Sequence, residues 1–143
     1  MVKKFIYLVL FSISINSYAQ SNDFLSNSDD CGASGGSGND SVSGIHNTGA
    51  GCEALFNLTT GDNNSAFGSR ALSKNTTGSR NSAFGAYALY LNTSGINNTA
   101  IGYASLYDNT TGNNNTAVGQ ATLVANTTGS GNSAFGVDTL YSN

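Results

Sequence analysis

Gly61-Asp62-Asn63-Asn64-Ser65-Ala66-Phe67-Gly68-Ser69-Arg70-Ala71-Leu72-Ser73-Lys74-Asn75-Thr76-Thr77 is the stretch that decides the fold. Stepping by seventeen from Gly44 lands on Gly61, Gly78, Gly95, Gly112 and Gly129. Counting these glycines as column 1, column 4 is always asparagine: Asn47, Asn64, Asn81, Asn98, Asn115 and Asn132. Column 5 is always Ser or Thr, and column 6 is Gly49 followed by Ala66, Ala83, Ala100, Ala117 and Ala134. Column 7 holds Ala50, Phe67, Phe84, Ile101, Val118 and Phe135. Glycine fills column 8 from Gly51 to Gly136, and leucine fills column 12 from Leu55 to Leu140. The unit closes on Asn-Thr-Thr or a near variant, as in Asn75-Thr76-Thr77 and Asn109-Thr110-Thr111. Six tandem copies therefore occupy 44–143, the last of them incomplete. Coincidence at so many columns within one chain marks a repeat architecture.

The chemistry of the unit predicts its shape. Asn-Ser/Thr-Ala-Phe/Ile/Val-Gly alternates over a few residues and reads as one short strand. The glycine that follows either breaks the strand or lets a neighbouring backbone approach closely. Ala71-Leu72-Ser73-Lys74 fits a helical turn or a second short strand equally well. Asn-Thr-Thr-Gly reads as a turn, with glycine supplying positive φ. One unit cannot bury its apolar residues, so the units must stack. Stacking sets Phe67 over Phe84 over Ile101 and Leu72 over Leu89 over Leu106, two apolar ladders along the molecule. The asparagine amides can hydrogen-bond along the same axis. The expected fold is an all-β repeat protein: a parallel β-solenoid or β-roll with one seventeen-residue coil per repeat, with or without a short helical turn per coil. At about 4.8 Å per coil, six coils span about 29 Å. So thin a core predicts help from association, and a smooth Ala and Gly face on the strands would let three chains pack around a common axis.

The flanks read differently. Lys3 and Lys4, the apolar run Phe5 to Ile15 and the small-x-small stretch Ser17-Tyr18-Ala19 make 1–19 a signal peptide. Export to the cell surface or beyond follows. Residues 20–43 are rich in Ser, Gly, Asn and Asp, with few large apolar residues, and read as a flexible linker. Within it, Gly35 to Ser43 fits a calcium-binding nonapeptide once. Such sites form between successive turns, so one copy predicts no metal. Cys31 and Cys52 are the only cysteines, either paired across linker and first repeat or free. The first copy, with Gly49, Ala50, Cys52 and Glu53, departs from the others and reads as a terminal cap. The last copy stops at Tyr141-Ser142-Asn143, before the expected Thr-Thr-Gly, which suggests a longer parent protein.

Asn98-Thr99-Ala100-Ile101-Gly102 and Asn64-Ser65-Ala66-Phe67-Gly68 resemble the head repeats of trimeric autotransporter adhesins. The whole unit is similar to repeat arrays in surface and fibre proteins of Bacteroidetes-type bacteria. The resemblance covers Gly44 to Asn143 and implies a trimeric parallel β-roll, adhesive, on the surface of a Gram-negative bacterium. Any membrane attachment it implies would come through parts outside this chain.

Composition excludes several functions. After the signal peptide only Arg70, Lys74 and Arg80 oppose the eight acids, so no basic patch awaits nucleic acid. The one histidine, His46, sits where other copies have Asn63, Arg80, Asn97, Asn114 and Gly131. Glu53, Asp62, Asp108 and Asp138 show no acid–base pairing, and no base recurs near the many hydroxyls. We therefore expect no enzyme, no catalytic residue, no metal and no cofactor. Tyr87, Tyr90, Tyr103, Tyr107 and Tyr141 are candidate contact residues for a glycan or other surface ligand if they face outward. The alternative function is ice binding through stacked Thr-Thr pairs.

Overall fold

The computed structural model describes Phe24–Ser26 and residues 43–142. Residues 1–19, expected to be a signal peptide, most of the expected linker with its calcium pattern, and Cys31 lie outside the described residues.

Each repeat contributes one three-residue strand: β2 (Thr48–Ala50), β3 (Ser65–Phe67), β4 (Ser82–Phe84), β5 (Thr99–Ile101), β6 (Thr116–Val118) and β7 (Ser133–Phe135). These pair in chain order, all parallel, in one sheet. Equivalent residues face one another, so Ala66 lies beside Ala83 and Ala83 beside Ala100. The chain is thus an all-β parallel solenoid with seventeen residues per coil. Its outermost strand is β1 (Phe24–Ser26), which pairs with β2 in the register Leu25 opposite Gly49. The first repeat is therefore not the terminal layer; a strand from the linker segment lies beyond it.

Hydrogen bonds join the coils around their whole circumference, not at the strands alone. Leu72 N–H donates to Ala88 O at 3.0 Å, and Lys74 N–H to Tyr90 O at 3.1 Å. Thr76, Thr77 and Gly78 all donate to the single carbonyl of Thr93. Such wrapping satisfies backbone groups that a strand of three residues could not.

The interior is narrower than the sequence suggested. Ala66, Ala83, Ala100 and Ala117 of column 6 and Leu72, Leu89, Leu106 and Leu123 of column 12 are fully buried. Two asparagine columns fill the remainder: column 4, and Asn75, Asn92, Asn109 and Asn126 of column 15. The Asn64 amide donates to Asn47 Oδ1 at 3.0 Å and to Gly78 O at 2.9 Å. The Asn92 amide donates to Asn75 Oδ1 at 2.9 Å and to Gly95 O at 3.1 Å. Buried amides are tolerable because their donors and acceptors recur at the coil spacing and find partners above and below.

Three expectations are corrected. First, only the leucine ladder is interior. Phe67 over Phe84 over Ile101 does form a column, but it faces out, and the alanine face expected to be smooth and exposed is the buried one. With leucine and asparagine already opposite, the interior has room for a methyl group at the strand and not for a phenyl ring. Second, no helix occurs among the described residues. The Ala71–Lys74 stretch lies in a turn whose backbone visits left-handed geometry at column 10 (Arg70, φ 60°) and column 12 (Leu72, φ 52°). Left-handed leucine is unusual and costs about 1 kcal/mol or more. Full burial of this leucine in the first five repeats offsets that, while Leu140 of the last repeat is 46% exposed. Third, the column 1 glycine does not supply positive φ; it supplies space. A Cβ on Gly78 would lie 2.5 Å from Gly95 O and would collide with Asn75 Oδ1.

Candidate functional site

With the interior columns devoted to packing, chemistry can reside only on the outward columns. Column 7 is the most apolar of these. Phe67, Phe84, Ile101 and Phe135 are 40%, 42%, 42% and 67% exposed, an apolar ridge along one line of the sheet. Phe67 and Phe84 stack nearly parallel, with ring centroids 5.1 Å apart and planes at 6°. Their spacing is set by the strand register, which puts like on like.

Columns 9, 10, 13 and 14 carry the residues that vary most from coil to coil. Here the candidate tyrosines divide into two groups. Tyr87, Tyr90 and Tyr107 are half-buried against one another. Tyr90 and Tyr107 rings lie 5.1 Å apart, Tyr87 and Tyr90 5.6 Å, and Tyr87 and Tyr107 6.1 Å. Tyr103, 6.0 Å from Tyr87, and Tyr141 face solvent. Partial burial and outward display are thus both realised, by different members of the set. Burial first, then the Tyr90 phenol and the Asp108 carboxylate, hold the Tyr107 phenol above its ordinary pKa.

The second repeat, 61–77 (coil 2, numbering the coils from Gly44), supplies cations to the same surface. Arg70 Nε donates to Glu53 Oε2 at 2.7 Å, and its Nη1 to the Tyr87 hydroxyl at 3.1 Å. Those two hydrogen bonds raise the guanidinium pKa further. The Arg70 guanidinium lies 5.6 Å from the Tyr87 ring centre, and Lys74 Nζ lies 5.9 Å from that of Tyr90. Each is within cation–π range.

His46 is exposed with φ 62°, as is its whole column: Asn63, Arg80, Asn97 and Asn114 all have φ near 58°. The column's preference for Asn and Gly is a backbone preference. Asp62 accepts from the Ile45 N–H at 2.8 Å, Glu53 pairs with Arg70, and Asp138 is exposed. The Thr-Thr pairs are split in role: Thr59, Thr76, Thr93 and Thr110 of column 16 each donate their hydroxyl to the carbonyl of column 16 in the next coil. Cys52 is disulfide-bonded, and Cys31 is the only other cysteine of the chain. Among the described residues no group of three or more His, Cys, Asp or Glu could hold a metal ion.

Fold and surface together define a tandem-repeat β-solenoid whose interior is spent on packing and whose outside carries an apolar ridge and a tyrosine-rich strip. No family model matches the chain, and no curated protein or solved structure is matched by it.

Proposed function

We propose that this chain is a non-catalytic structural and adhesive segment of an exported surface protein, and that it works as a homotrimer. The observation that carries the reading is the apolar ridge Phe67-Phe84-Ile101-Val118-Phe135 outside a fully packed interior. Contiguous exposed apolar surface marks an interaction site. The ridge is about 19 Å long but only one side chain wide, too narrow to hold a dimer alone. Three ridges meeting on a common axis would each contact two neighbours and cover their Ser/Thr flanks as well. The likeness of the repeat to adhesin head units agrees with this assembly and with a surface location, the signal-like residues 1–19 with export. The tyrosine strip, on other columns, remains free for a surface or glycan ligand.

Ice binding has less behind it. One hydroxyl of each pair, that of column 16, is used between coils, which leaves only the column 17 threonines to order water.

Sedimentation velocity tests the assembly. The chain is expected to run at three times its 14.6 kDa mass, less the signal peptide if that is removed. Phe84→Asp, which sets three carboxylates on the axis, is expected to give monomer with an unchanged circular dichroism spectrum. Monomer at every concentration for the unmodified chain, or a persistent trimer for the variant, contradicts the reading.

A further inference from the structure

The tyrosine strip changes character along the molecule. In coils 2 and 3 its rings are covered by the chain's own cations, Arg70 on Tyr87 and Lys74 on Tyr90. One coil further on it opens into a surface cleft of about 370 Å³ lined by Tyr103, Ala104, Tyr107, Asp108, Ala121, Val124 and Tyr141. The cleft exists because coil 5 drops to small side chains, Ala121 and Val124, between tyrosines of coils 4 and 6. Two coil steps separate those walls by about 9.5 Å, enough for one compact group with a ring on either side. The volume lies at the small end of ligand pockets, roughly 300–1,000 Å³.

We infer that this cleft binds a quaternary ammonium ion of the choline class, held by Tyr103, Tyr107 and Tyr141 and by the Asp108 carboxylate. Three ring systems and one anion line it, and no cation does. Asp108 is half-buried, and the one ion pair among the described residues is Glu53–Arg70, elsewhere on the strip. The strip has already shown its chemistry, since it attracts Arg70 and Lys74 where they can reach it. Aromatic faces hold a cation through their ring quadrupole, and a carboxylate beside them adds direct charge attraction. A weakly hydrated quaternary ion loses least on leaving water for an open cleft, whereas a primary ammonium is strongly hydrated. A neutral sugar can stack on a ring and donate a hydroxyl to Asp108, but it brings no positive charge to answer the carboxylate, which favours the quaternary ion. All lining residues belong to one chain and to columns other than the ridge, so the site does not depend on self-association.

The test is a titration of the whole chain followed by tyrosine ring resonances, with choline, phosphocholine, ammonium chloride and methyl glucoside as separate probes. Saturable shifts of Tyr103 and Tyr141 with choline, and not with ammonium at equal ionic strength, are expected. Saturation by phosphocholine as well would point to a lipid headgroup as the source; choline alone would mean the free cation. Asp108→Asn and Tyr103→Leu should each weaken binding about tenfold, while Arg80→Gln, in another column, should leave it unchanged. No saturation by either quaternary ion, an undiminished response in Asp108→Asn, or saturation of the same resonances by methyl glucoside would overturn the assignment. Sedimentation of the same samples reports the trimer separately, so failure here and failure of the assembly are distinguishable.

Discussion

Asn98→Asp is expected to destabilise the fold by about 4 kcal/mol at pH 7, although it exchanges one amide for a carboxylate of the same shape. Asn98 is fully buried, and its Nδ2 donates to Gly112 O at 2.8 Å and to Asn81 Oδ1 at 3.2 Å. Its Oδ1 accepts from the Asn115 N–H at 3.0 Å. An aspartate keeps the acceptor but turns both donations into contacts between oxygens, with a charge inside the coil. Burial and those oxygens favour the neutral acid, so the folded-state pKa of the new carboxyl is raised above the usual value of about 4. The penalty is therefore present above the unfolded pKa and shrinks as pH falls toward it, where the protonated acid can donate once. Urea denaturation of both proteins at neutral and acid pH measures this. The control is its neighbour: Asn97 is exposed with φ 57°, and Asn97→Asp should cost less than about 1 kcal/mol. Equal losses at the two positions would mean that the amide ladder does not hold the coils.

Gly85→Ala is expected to cost about 3 kcal/mol or more, for a reason independent of hydrogen bonding. Gly85 has φ 136°, and a Cβ there would lie 2.6 Å from the carbonyl carbon and 2.5 Å from the oxygen of Gly102, both backbone atoms. Neither can move away, because the coil spacing is fixed by bonds such as Gly102 N–H to Phe84 O at 2.7 Å. Gly131→Ala is the informative contrast. Its φ is 74°, but a Cβ there would meet nothing within 4 Å. Its column elsewhere carries His46, Asn63, Arg80, Asn97 and Asn114, so the substitution should cost no more than about 1 kcal/mol. Denaturation midpoints of the two variants should differ widely; similar midpoints would contradict the close approach of column 8.

These two residues also show what the sequence could and could not reveal. The column of Asn98 and the column of Gly85 were visible as columns, and the strands fall where Asn-Ser/Thr-Ala-Phe-Gly placed them. Period alone carries that much, because like residues stack on like. Which side of a three-residue strand faces in is another matter. Hydrophobicity favours Phe84 inside and Ala83 out, and the reverse occurs because interior width, set by the leucine and asparagine columns, is not written in any one repeat. Nor does propensity announce left-handed geometry at Leu72 or Leu89; the same four residues suit a helical turn. The tyrosine cleft was legible only as separate residues. Tyr103, Tyr107 and Tyr141 meet across coils 4 to 6, and the gap between them comes from small side chains at Ala121 and Val124, which attract no notice in the sequence.

Seventeen residues make one complete coil, interchangeable in the stack. Excising residues 86–102 removes one such unit and rejoins Gly85 to Tyr103, so that column 9 still follows column 8. Thermal unfolding of this deletion, beside a deletion of 86–101, tests the claim most directly. A cooperative transition is expected for the seventeen-residue excision, in a particle shorter by about 4.8 Å, and loss of the cooperative transition for the sixteen-residue one, which shifts every later column by one place. Comparable melting of the two deletions would contradict it.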